Sequence, residues 1–251
     1  MDLKLVAYGA CLVGGFAVPQ GKGFIDVAAD GVARRGYKVD KQIFAREGRL
    51  VSEFLPDMAL VLDQARPDVV LLQLGTTDAN IPLKRQVTAR FQNFVPRMER
   101  FESGLIPPAR PRQFSSPRYL TRQAGRLILA YVHRAQPKTP DGPFVEHLDA
   151  VLRAATARKA VLIVVGPVPM ADTVGRIVAR RYRTYARDAC ARFGAHFIDP
   201  FRLLRASRDQ MFLADGLHLT VEGHRRIGEA LGAAILGACP AVTPVAPMRA
   251  M

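Results

Sequence analysis

Short, nearly continuous apolar runs alternate along the chain with longer stretches of helical spacing. Leu3 to Tyr8, Val69 to Leu74 and Ala160 to Val165 are each apolar enough to be strands covered on both faces, and each is followed by a glycine: Gly9, Gly75 and Gly166. Tyr37 to Phe44 alternates enough to form another strand, and Ala195 to Ile198 is a short one ahead of Asp199-Pro200. Helical length and spacing fall at Gly23 to Arg35, Pro56 to Ala65, Leu83 to Val95, Leu120 to Ala135, Phe144 to Ala157 and Val221 to about Leu236. The helix from Pro56 has proline in its first turn, where it is tolerated, and Met58, Val61, Leu62 and Ala65 on one face. A further helix sets Val178, Tyr182, Tyr185, Ala189 and Phe193 on one side and Arg176, Arg180, Arg183 and Arg187 on another.

Strands separated by helices throughout imply an α/β fold, a three-layer α/β/α sandwich with a central parallel sheet. One stretch breaks the rhythm. Residues 103 to 118 hold Pro107, Pro108, Pro111 and Pro117 among arginines and serines, which sustain neither a helix nor an inner strand. The expected organisation is a single domain over 1–238, interrupted by an exposed basic Pro/Arg-rich insertion at about 103–142, with a loose tail at 239–251.

Composition narrows the classes. No apolar run reaches the roughly 18 residues needed to span a bilayer. The stretch from Leu3 to Val18 superficially resembles a signal peptide, but its single Lys, its three glycines and the lack of a cleavage-like site directly after it argue against secretion. Cys11, Cys190 and Cys239 are odd in number and lack metal-ligand or C-x-x-C spacing, which points to a reducing, cytoplasmic setting with no metal. No cofactor motif is present: Gly14-Gly15 and Gly21-x-Gly23 lack the remainder of any phosphate-cradling loop.

The formal net charge of +14 is concentrated. Arg97 to Lys138 holds nine basic and two acidic residues, and Arg176 to Arg192 six basic and one acidic. Such stretches suit an anionic ligand such as an acidic glycan, although a solvated face is the more ordinary reading. Nucleic acid is disfavoured because aromatics are not interleaved at a recognisable spacing.

Candidate chemistry lies at the two ends of the chain. Gly9-Ala10-Cys11-Leu12 follows the first strand, where open α/β sheets place their sites. Asp215-Gly216-Leu217-His218 precedes the last helix and pairs a carboxylate with an imidazole it can orient. With Gly48 after the second strand and Gly75-Thr76-Thr77-Asp78 after the third, these segments resemble, in order and over nearly the whole chain, the SGNH (GDSL-like) hydrolase family. The resemblance implies an SGNH/flavodoxin-like sandwich and action on an acyl ester or thioester of a small molecule or glycan. It assigns Cys11 as nucleophile, His218 as base and Asp215 as its orienting partner. The oxyanion would be held by Cys11, Gly48 and Thr77, with Gly75 and Asp78 in support.

This sequence departs from the family where Cys11 replaces its serine, Ala10 its aspartate and Thr77 its asparagine. Cys11 is therefore either a thiol nucleophile or a small residue filling the space of a lost serine. The matching functional alternatives are an esterase or acyltransferase and a catalytically impaired binding protein for an anionic ligand. Ser115 and Ser116 lie in the Pro/Arg-rich insertion with no nearby His, His133, His147 and His196 have no metal-type spacing, and His224 reads as structural.

Overall fold

The computed structural model describes residues 2–82 and 106–239. The helix expected at Leu83 to Val95 and the tail beyond Cys239 lie outside the described residues.

Five parallel strands form one sheet in the order β2-β1-β3-β4-β5. They are β1 (Asp2–Gly9), β2 (Lys38–Ala45), β3 (Val69–Gln73), β4 (Val161–Val165) and β5 (His196–Ile198). The longer helices are α1 (Phe24–Ala33), α2 (Leu55–Ala65), α3 (Pro117–Val132), α4 (Asp141–Thr156) and α5 (Thr173–Phe193). Two short helices, α6 (Pro200–Leu203) and α7 (Arg208–Met211), precede α8 (Val221–Ala238).

Successive strand residues point to opposite faces, so each inner strand feeds two cores. Val6, Tyr8, Val70, Leu72 and Val164 meet Met58 and Leu62 of α2, Phe144 and Leu148 of α4, and Tyr182 of α5. Leu5, Ala7, Val69, Leu71 and Ile163 meet Phe24 and Ala28 of α1 and Ile227, Leu231 and Ile235 of α8. Each fully buried aliphatic or aromatic side chain contributes roughly 1.5–3 kcal/mol, which explains why the central strands carry almost no polar residues. This is the α/β sandwich the apolar runs imply.

The helix within the insertion begins at Pro117 and not at Leu120, because Pro117 occupies its first turn and Ser116 caps it by accepting from the Tyr119 N–H. The stretch before it is not a free loop. Phe114 is buried, the Phe114 N–H donates to Asp209, and the Ala214 N–H donates to the Pro107 carbonyl. Residues 106–116 thus pack beside the segment that carries Asp215.

Candidate active site

Parallel strands deliver their carboxyl ends to one edge of the sheet, and three of the loops leaving that edge converge. The loop after β1 turns sharply, with the Val13 N–H donating to the Ala10 carbonyl and the Phe16 N–H to the Cys11 carbonyl, and leaves Cys11 partly buried. The loop before α8 is fixed at both ends. The Leu213 N–H donates to the His218 carbonyl at 2.8 Å, Phe212 bridges to Leu219, and Thr220 caps α8 by accepting from the Gly223 N–H. Gly216 has φ +70°, and a Cβ there would stand 2.9 Å from the Ala171 Cβ. Only glycine meets both demands.

Within this frame His218 Nδ1 donates to Asp215 Oδ2 at 2.5 Å, and His218 Nε2 lies 3.3 Å from Cys11 Sγ. The other oxygen, Asp215 Oδ1, accepts from the Leu217 and His218 backbone N–H groups at 2.9 and 3.0 Å. The carboxylate therefore fixes both the loop and the imidazole tautomer. The Phe16 ring covers His218 with centroids 4.4 Å apart, shielding it from water on that side.

Electrostatics follow from these contacts. Burial works against a charged imidazole at His218, but the hydrogen bonds and charges of Asp215 and Cys11 outweigh it and push its pKa up to about 9. At Asp215 burial favours the neutral acid, yet His218 and the two backbone donors hold the carboxyl below its usual range.

A cavity of about 190 Å³ opens at this edge. Cys11, Gly48, Thr77 and His218 line it, together with Ala10 and Leu217. Gly75 and Asp78 do not, and act from beneath. Gly75 has φ +84°, and a Cβ there would collide with Pro167. Asp78 is buried, accepts from the Val51 N–H and from the Thr139 hydroxyl at 2.7 Å, and so ties the Gly48 loop and the segment after α3 to the end of β3. Burial raises its pKa, partly opposed by those donors.

Glu47, Gln73, Asn80 and Lys138 also line the cavity and were not singled out from sequence, and Thr76 of the Gly75 block joins them. The Thr76 hydroxyl accepts from Gln73 Nε2 and from the Val168 N–H, each at 3.0 Å, whereas the Thr77 hydroxyl makes no hydrogen bond among the described residues. Asn80 sits three positions beyond Thr77 and is among the cavity's lining residues, and its carbonyl accepts from the Lys138 N–H. Its signal was an asparagine two residues past the Gly75-Thr76-Thr77-Asp78 block. Lys138 is the residue of the basic insertion that reaches the cavity; Arg110, Arg112 and Arg118 are exposed elsewhere. Ser115 and Ser116 bond to the backbone of their own turn.

His224 is fully buried, stacks on Phe24 and accepts the Phe24 N–H at its Nδ1, so it is a packing residue carrying its proton on Nε2. Burial, with the charge of His218 adding, pushes its pKa down to about 4. A cleft of about 790 Å³ opens at the opposite end of the strands among Leu3, Pro67, Arg158 and Ala238, away from the thiol. No described helix is long and apolar enough to cross a membrane.

No curated protein matches the chain in sequence. Among solved structures it is similar to the esterase EstA from Pseudoalteromonas sp., with TM-score 0.59 and 14% identity over 94% of this chain and 98% of that one. It is likewise similar to a lipase/acylhydrolase from Enterococcus faecalis, with TM-score 0.59 and 15% identity over 94% and 96%. An acetyl xylan esterase, AlAXEase, superposes with TM-score 0.60 and 13% identity over 93% of this chain and 100% of its own. The sequence pattern of one family matches residues 8–226, and with the sandwich fold already described it settles the assignment: the chain belongs to the GDSL-like lipase/acylhydrolase family.

Proposed function

We propose that the protein is a thiol-dependent acyl hydrolase or acyltransferase acting on short-chain esters or thioesters, with Cys11 as nucleophile. The observation that carries this reading is His218 standing between the Cys11 sulfur and the Asp215 carboxylate. A residue that merely filled the space of a lost serine would have no need of an oriented imidazole.

In this reading His218 holds the thiol proton, and the sulfur attacks the acyl carbon, forming a C–S bond as the carbonyl π pair moves to oxygen. The oxyanion is met by the backbone N–H of Cys11, by Gly48 and by the Thr77 hydroxyl, with the Asn80 amide supplying the donor that the change at position 77 removed. The bond to the leaving oxygen or sulfur breaks as His218 gives up its proton, leaving an acyl thioester on Cys11. Water or an acceptor hydroxyl then loses its proton to His218, attacks the thioester and restores the thiol. A thiolate is the better leaving group, so attack on an ordinary ester tends to reverse, and activated esters and thioesters are the favoured donors.

The cavity of about 190 Å³ supports a short acyl group, being smaller than the roughly 300–1,000 Å³ of drug-sized pockets. Glu47 and Lys138 set one acidic and one basic side chain at its wall, which supports a polar leaving group or acceptor. The free Cys11, Cys190 and Cys239 support a reducing compartment. The test is turnover of acetyl, butyryl and octanoyl thioesters and p-nitrophenyl esters. Activity confined to the short acyl groups and lost in Cys11→Ala is expected; turnover that survives Cys11→Ala would overturn the thiol assignment.

A further inference from the structure

Six arginines line a cleft of about 470 Å³ on the β5 side of the sheet. Arg176, Arg180 and Arg183 come from successive turns of α5, and Arg202, Arg205 and Arg208 from α6, α7 and the turn between them. Phe201 and Phe212 close its floor with Pro169.

Like charges so close repel one another, and proteins normally offset such a cluster with carboxylates. Here two arginines are anchored: Arg183 grips Asp199 through Nε and Nη2 at 2.8 and 2.5 Å and lies over the Phe201 ring, and Arg208 donates to the Ala171 carbonyl. The nearby acids are otherwise engaged. Asp172 faces Arg126, Asp209 accepts from the Phe114 N–H, and Asp188 pairs with Arg187. Arg176, Arg180, Arg202 and Arg205 have no carboxylate partner among the described residues.

We propose that this cleft is a binding site for a diphosphate group, carried on an organic ligand or free. Four arginines without carboxylate partners around one small-molecule-sized cleft call for several negative charges on a compact body, and the guanidinium fork matches phosphate oxygens bidentately. Carboxylates bring one charge each and would spread beyond the walls. Single-stranded nucleic acid is a poor fit, since the Phe201 face is taken by Arg183 and Phe212 is buried, leaving no open ring on which bases could stack. The inference does not depend on chemistry at Cys11. Pro169 and Phe212 do join the two regions, because the neighbouring Ala171 N–H donates to the Gly216 carbonyl and the Leu213 N–H to that of His218.

The test is calorimetric titration of the full chain with inorganic pyrophosphate and with ADP at fixed ionic strength. It compares the unmodified protein with Arg180→Gln/Arg205→Gln and with Arg187→Gln/Arg192→Gln, which removes equal charge from ion pairs outside the cleft. One equivalent bound per chain is expected, weakened at least about tenfold in the cleft variant through loss of two charge-assisted contacts and nearly unchanged in the other pair. ADP binding more tightly than pyrophosphate assigns an organic diphosphate, and the reverse assigns the free anion. Absence of binding by both probes, or equal weakening in the two double variants, would overturn the proposal. Thermal midpoints confirm that both variants fold.

Discussion

His218 Nε2 stands 3.3 Å from Cys11 Sγ while the opposite ring nitrogen is held by Asp215 at 2.5 Å. One imidazole thus links a carboxylate to a sulfur, and the raised pKa of His218 means that its cationic form faces that sulfur at neutral pH.

Alkylation of Cys11 by iodoacetamide near pH 7 should accordingly be fast in the folded protein. His218→Ala should slow it by about a hundredfold, in line with loss of a positioned acid–base partner, and Asp215→Asn should slow it less. Single-site labelling rates measured by mass spectrometry, with Cys190 buried as an internal control, check this.

The oxyanion wall makes a second expectation. Thr77→Ala and Asn80→Ala should each lower thioester turnover by about a hundredfold with little change in KM, the usual cost of one donor to developing negative charge. Restoring the family's amide with Thr77→Asn should raise kcat. Steady-state kinetics on an acetyl thioester decides between donors and bystanders.

Most of the fold was legible because its signal is local. Val69 to Gln73 and Val161 to Val165 are buried on both faces, so their apolar runs had no competing reading. The proline-rich stretch misled, because what orders it lies about a hundred residues away: Phe114 bonds to Asp209 and Gln113 to Ala214. At the site, Asp215 and His218 were picked out by the family resemblance, since their spacing alone is a weak signal, and the structure sets the two side chains in contact. Lys138 and Phe16 were not picked out, since the first arrives with the segment after α3 and the second on a turn whose direction only the tertiary structure sets.

Gly216 tests how tightly the loop must be held. Gly216→Ala places a side chain at φ +70° and against Ala171, and should cost about 2 kcal/mol from backbone conformation and contact together. The same variant should slow Cys11 alkylation by displacing His218. Urea unfolding and labelling of the same sample would show both effects.

Two histidines give stability opposite pH dependences. His224 titrates near 4 when folded and near 6.5 when unfolded, so the unfolded chain binds a proton first and stability is lost as pH falls from 6.5 toward 4, by on the order of 3 kcal/mol. His218 titrates near 9 when folded, so its contribution is full below 6.5 and is lost as pH rises through 9. Urea midpoints across pH 4 to 9.5 should peak near pH 6.5, with His224→Gln flattening the acid side and His218→Ala the alkaline side.

The most direct test of Cys11 as a nucleophile is intact-protein mass after brief exposure to an acetyl thioester. An adduct of one acetyl group that maps to Cys11, disappears in Cys11→Ala and forms about a hundredfold more slowly in His218→Ala is expected. No adduct, together with a Cys11 that resists alkylation in the folded protein, would contradict the account and leave the fold as a binding scaffold.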